Sequence, residues 1–278
     1  MFGFGKKEKK DKKRTEPELD AELKAFAADY EPEELDILAV TGPVGFGGVK
    51  RGNFWQASIG LTAWMEEDSP DIHQEEIPLF TLADNSLLDF LRQRTPPDFI
   101  IKFQGRREKN GKSMLLLNLP EPGFDPDLKA ILEAQKQAVT LEVDGLGLFT
   151  LNRRVRWFEA EIDWCGASVQ LDFDQGEPEE MAKAQEVART LLADAENWDR
   201  RVREYAAGEL TSLANDWAEG EEELTPEDFM ARMELSAIQV EPDGEFEFWF
   251  EDGEMFYGHS IHVMGNLTDG PDWAQMEG

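Results

Sequence analysis

Hydrophobic and polar positions alternate most cleanly between Val155 and Phe173, in the run RWFEAEIDWCGASVQLDF. Side chains alternate across a strand, so Phe158, Ala160, Ile162 and Trp164 share one face, while Trp157, Glu159, Glu161 and Asp163 share the other. Cys165-Gly166 stands where the pattern reverses, and Val169, Leu171 and Phe173 alternate on the way back. The stretch predicts a β-hairpin with one apolar and one acidic face.

Strand patterns recur before it, LDILAV as a compact apolar run and FWQASIGLTAWM alternating. LDILAV, FWQASIGLTAWM, IPLFTL, DFIIKF and KSMLLLNL read as five strands between Leu35 and Leu119. A short helix carrying Leu87, Leu88 and Leu91 starts at Asn85 as cap, is closed by Pro96-Pro97 and precedes the fourth strand. Ahead of them, residues 19–34 predict a helix on Leu19, Leu23, Phe26 and Ala27, ended by Pro32. Five strands with that one helix suit a small curled barrel resembling an OB-fold. TGPVGFGGVKRGN reads as a glycine-rich connection. It lacks the Gly-Lys-Ser/Thr of a P-loop, and Lys50 stands where Gly45-Phe46-Gly47 would need its third glycine. EPGFDP, between Pro120 and Pro126, reads as a linker before a helix opening at Asp127.

Beyond Ala138, strands VTLEV and LFTLNRR lead into the opening hairpin. Pro178 then starts about forty residues of three-and-four spacing, from Met181 to Trp217, with Gly208 as a candidate kink and Gly220 as the end. Thr225-Pro226-Glu227-Asp228 is a helix start. A meander closes the chain: LSAIQV, then EFEFWFE, then MFYGHSIHVMGNL, joined through Pro242-Asp243-Gly244 and Glu251-Asp252-Gly253. The expected organisation is α+β throughout. A basic tail at 1–18 precedes a small β-rich barrel domain at 19–137 and, at 138–278, an antiparallel sheet packed by long helices.

Composition sharpens this picture. Eight Trp and eighteen Phe among 278 residues supply a core, and a formal charge of −31 excludes a nucleic-acid polyanion as ligand. The charge fits a basic protein partner. Lys6 to Arg14 is a local exception, with seven basic side chains against Glu8 and Asp11. With Phe2 and Phe4 ahead, residues 1–14 suit weak contact with an anionic membrane surface, the basis of a peripheral-scaffold alternative. Cys165 is the single cysteine, which precludes an internal disulfide. Without an apolar run of about 20 residues, a cytoplasmic location is expected.

Candidate chemistry is sparse. Three histidines, no nucleophile elbow and no Ser-His-Asp spacing argue against a triad. Asp172-Phe173-Asp174-Gln175-Gly176 departs from an EF-hand loop at its glycine and at Lys183. His259 and His262, three apart on an expected strand, would point to opposite faces and share no metal. The candidate binding residues are Trp157, Glu159, Glu161 and Asp163 on one strand, Glu247 and Trp249 on another, and Tyr257 and His259. Indole faces beside carboxylates suit a cationic ligand. No cofactor is expected. The alternative is a metal-dependent hydrolase that brings His259 to Glu159, Glu161 and Asp163.

RWFEAEIDWCGASVQL, the long helix ending in LANDW, the Thr-Pro-Glu-Asp-Phe start and FYGHSIHVMGNL together resemble the uncharacterised bacterial family called domain of unknown function 2262, over roughly Leu148 to Leu267. The resemblance implies an antiparallel sheet packed by helices and no established activity. It also implies a likeness to small acidic domains of toxin-immunity systems. The leading expectation is a non-enzymatic, immunity-like acidic protein that sequesters a basic partner.

Overall fold

A computed structural model describes residues 22–52, 54–218 and 223–278. The basic tail, Leu19 of the expected first helix and Gly220 lie outside the described residues. The chain divides into two compact units, one ending at Gln137 and the other starting at Ala138.

In the first unit, residues 22–29 are helical and Tyr30 bridges to Glu108. The strands are β1 (Leu35–Thr41), β2 (Gly47–Arg51), β3 (Phe54–Glu66), β4 (Ile77–Ala83), β5 (Ile100–Arg107), β6 (Met114–Leu116) and β7 (Glu121–Pro122). β1 pairs antiparallel with both β3 and β5, which closes a barrel in the order β1-β3-β4-β6-β5. β4 and β6 run parallel, the arrangement of an OB-like Greek key. Alternation turns Ile37, Ile59, Leu61, Leu79, Ile101 and Phe103 inward. The glycine-rich segment is not a plain connection: β2 within it forms a hairpin with β3.

Helix α1 (Asn85–Arg94) plugs this core with Leu88 and Leu91. Its cap is Asp84 rather than Asn85, accepting from the Leu87 N–H at 2.8 Å. Helix α2 (Pro126–Gln135) starts one residue before the expected Asp127, capped by Asp125. It packs Leu128 and Leu132 on Leu38, Val40, Ala63 and Met65, a second small core outside the barrel.

The second unit is one eight-stranded sheet in sequence order: β8 (Thr140–Val143), β9 (Gly147–Asn152), β10 (Trp157–Trp164), β11 (Ala167–Asp174), β12 (Glu234–Val240), β13 (Glu245–Glu251), β14 (Ser260–Asn266) and β15 (Gly270–Glu277). All neighbours are antiparallel except β11 and β12. A parallel pair needs a crossover, which α3 (Pro178–Ala193), α4 (Ala195–Trp217) and α5 (Pro226–Arg232) supply. The forty-residue helical pattern is two helices, broken at Asp194 and not at Gly208. Asp194 leaves helical geometry (φ −136°, ψ 42°) and its side chain accepts from Asn197 Nδ2. Gly208 lies within α4, where a side chain would meet nothing within 4 Å.

The helices cover one face of the sheet. Phe246, Phe248 and Phe250 of β13 are fully buried there with Phe173, Leu171, Ile261 and Val263. Each such side chain contributes about 1.5–3 kcal/mol. Arg203 of α4 ties three elements together: its Nε donates to Asp199 at 2.7 Å, and its Nη1 donates to the carbonyls of Met233 (2.6 Å) and Met230 (3.2 Å) after and within α5. Asp199 in turn accepts from Trp164 Nε1 of β10.

The end of the chain differs from the expected three-strand meander. Residues 252–259 form a loop, because the buried Asp252 carboxylate draws in the backbone N–H groups of Glu254, Phe256 and Gly258. β14 therefore starts only at Ser260, and β15 adds a further strand. Among the described residues no helix is long and apolar enough to cross a membrane.

A candidate acidic face on the second sheet

The eight strands of the second sheet contain no lysine or arginine. Their alternation sends apolar residues to the helices and polar ones to the opposite face. β10 contributes Trp157, Glu159, Glu161 and Asp163 to that face, and β13 contributes Glu245, Glu247, Trp249 and Glu251. Two strands, β11 and β12, separate them. The register places Glu161, Gln170, Ala237, Trp249, His262 and Gln275 in one cross-strand row. Glu159, Asp172, Gln239, Glu247, Met264 and Trp273 form the adjacent row.

Neutral donors hold several of these carboxylates. Asn152 Nδ2 donates to Glu159 at 2.7 Å, Ser168 Oγ to Glu161 at 2.6 Å, and Gln275 Nε2 to Glu277. Asp172 is 3 % exposed, and Gln170 Nε2 donates to both its oxygens at 2.9 and 3.1 Å. Burial pushes its carboxyl up from 3.8 to about 6; the Gln170 bond opposes this, and the Glu159 and Glu161 charges add to it.

His262 is the centre of the second cluster. It is 6 % exposed, stacked on Trp249 with centroids 3.8 Å apart and planes 9° from parallel, and edge-on to Trp273 at 5.2 Å. Its Nε2 lies 2.8 Å from Glu247 Oε2 and its Nδ1 3.7 Å from Glu277 Oε1. Neither contact is a well-directed hydrogen bond, so both ring nitrogens stay without one among the described residues.

The residues singled out in the sequence do not form one pocket. Trp157 and Trp249 share a face, but three strand spacings and four residues of offset put them roughly 20 Å apart. Trp249 is half-buried on His262, which gives it a packing reason. Tyr257 and His259 sit on the 252–259 loop, not on a strand of this face. The Tyr257 hydroxyl donates to the Trp217 carbonyl, and the His259 ring meets the Trp217 edge at the end of α4. His259 thus lies beside α4, whereas Glu159, Glu161 and Asp163 lie on the sheet face turned from the helices. Among the described residues no group of three or more His, Cys, Asp or Glu is placed to hold a metal ion.

Sequence reasoning missed His262, Asp172 and Trp273. The alternation in SIHVMGN was the available signal for His262, but the loop before it concealed which strand position pairs with Trp249. Cys165 is exposed at the β10–β11 turn with φ 54°, followed by Gly166 at φ 86°; burial and nearby Asp199 and Glu196 raise its thiol pKa, which disfavours the thiolate.

Fold and face together define an α+β domain with a helix-backed sheet whose strands carry acidic residues and no lysine or arginine. Residues 143–276 match the family described as "Uncharacterized protein conserved in bacteria (DUF2262)". Residues 22–135 match a second family, described as "Domain of unknown function (DUF7021)". No curated protein and no solved structure matches the chain.

Proposed function

We propose that the protein is a non-enzymatic binding protein whose second unit uses the acidic sheet face to sequester a basic protein partner, as an immunity-type protein does. The carrying observation is the absence of lysine and arginine from all eight strands, on a face that presents Glu161, Asp163, Glu247 and Trp249 from a rigid sheet. Carboxylates held by neutral side chains keep their full charge for an incoming cation. The partner is taken to be met in the cytoplasm, where a lone cysteine stays reduced.

A fluorescein-labelled octa-arginine peptide is the probe. Glu159→Gln/Glu161→Gln/Glu247→Gln is compared with a control of equal charge on the helices, Glu179→Gln/Glu180→Gln/Glu196→Gln. The face variant is expected to weaken binding roughly tenfold, and the helix variant little. Equal losses would reduce the effect to net charge and overturn the reading.

A further inference from the structure

The first unit holds a cleft of about 380 Å³ outside the barrel core. Its floor is the outer face of β3 and β4, formed by Gln56, Pro78 and Phe80. Opposite Phe80 stands Ser58, and opposite Pro78 stands Gly60, so the β3 side sets only small residues beside the half-buried Phe80 ring. One wall is the helical segment with Phe26, Asp29 and Tyr30; the other is the β5–β6 loop with Glu108, Asn110, Lys112 and Ser113.

The walls are stitched to each other. Lys109 donates from Nζ to the Ala28 carbonyl at 2.7 Å and from its backbone N to the Asp29 carbonyl at 3.1 Å, and the Glu31 N–H donates to the Arg107 carbonyl. Behind them runs a buried polar chain. Ser113 Oγ donates to Glu108 Oε2 at 2.8 Å, so the Tyr30 hydroxyl, 3.2 Å away, donates to Ser113. Asn110 Nδ2 donates to the other Glu108 oxygen. Such a network makes the cleft preformed, as ligand pockets usually are.

The residues that line the cleft keep a mixed hydrogen-bonding capacity. Gln56 accepts from Arg51 Nε at its Oε1, which leaves its Nε2 to donate. Lys112 adds a cation; Asp29 and the free lone pairs of Glu108 and Tyr30 accept. Two carboxylates against one ammonium disfavour a phosphate-bearing ligand. Mixed donors and acceptors beside the half-buried Phe80 ring suit a pyranose, whose hydroxyls both donate and accept and whose C–H face lies flat on an aromatic ring. The position agrees, because OB-like barrels bind on this strand pair beside this loop. We propose that the cleft binds a neutral polyhydroxylated ligand, a short oligosaccharide. This site is independent of the acidic face.

The test is saturation-transfer NMR on the full chain with maltotriose, cellotriose and triacetylchitotriose as probes and hexathymidylate as comparator. At least one sugar should receive saturation, and Gln56→Ala and Phe80→Ser, each checked for folding by thermal unfolding, should weaken it roughly tenfold. The proposal is overturned if none of the three sugars receives saturation, if the signal survives both folded variants, or if hexathymidylate binds more tightly than any sugar. Should Phe80→Ser fail to fold, Gln56→Ala alone decides.

Discussion

Asp172 shows how one buried group can couple stability to pH. Its folded carboxyl titrates near 6 and its unfolded one near 3.8. Between those values the unfolded chain releases its proton while the folded chain keeps it, so rising pH favours unfolding. Asp172→Asn keeps an oxygen for Gln170 and removes the buried charge. Urea unfolding at pH 7.5 should therefore find the variant more stable by about 1–3 kcal/mol, with the difference gone at pH 4. A difference that persists at pH 4 would show that charge burial is not its cause. Gly265 illustrates a steric constraint. A methyl group there would fall on the Gly270 carbonyl and the Pro271 backbone, where β14 and β15 approach across a register shift. Gly265→Ala should cost roughly 2–4 kcal/mol and lower Tm, because backbone cannot move aside as a flexible side chain does.

Helices and strands here are joined by a few polar clasps. Arg203 meets two carbonyls at the end of α5, the Asp199 carboxylate and the Phe250 ring at 5.1 Å. Arg203→Met keeps the aliphatic stem and leaves those acceptors unpaired. A loss of about 2–3 kcal/mol in denaturant unfolding is expected, with early hydrogen exchange in α5. The Asp84 cap is more local: Asp84→Ala should cost about 1 kcal/mol. The elements also show where pattern reading succeeds. Thr225 and Asp228 form the reciprocal capping box that Thr-Pro-Glu-Asp announces, and Cys165-Gly166 makes the tight turn that the hairpin alternation places there. It fails at Asp194, where the apolar spacing continues across the break because both helices face the same sheet.

The distribution of charge governs how this molecule meets others. With −31 overall and carboxylates gathered on one sheet face, association with a basic partner should be steered over distances near the Debye length, about 10 Å at 0.1 M salt. Stopped-flow association of the octa-arginine probe should slow at least about tenfold between 0.02 and 0.5 M NaCl, with dissociation changing far less. A rate insensitive to salt would remove electrostatic steering from the account. Net charge was legible from composition, and the carboxylates of β10 and β13 were legible from alternation. That Trp157 and Trp249 sit far apart while His262 joins Trp249 was not, since only pairing across four strands places them.

Local physics wrote most of the elements into the chain. Period two marks β3, β10, β11 and β13 because a half-buried strand exposes alternate residues, while β1 is a continuous apolar run. Prolines, glycines and Asp or Thr caps mark many of the boundaries because they act within four residues. Closure of the barrel by β1 on β5, the burial of Asp172 and the stack of His262 on Trp249 join residues from separate strands with no local signature, and the β2 and β15 hairpins, though local, lie in segments without hydrophobic alternation. Each depends on backbone hydrogen bonds and side-chain contacts that exist only once the sheets are assembled, so folding alone settles them.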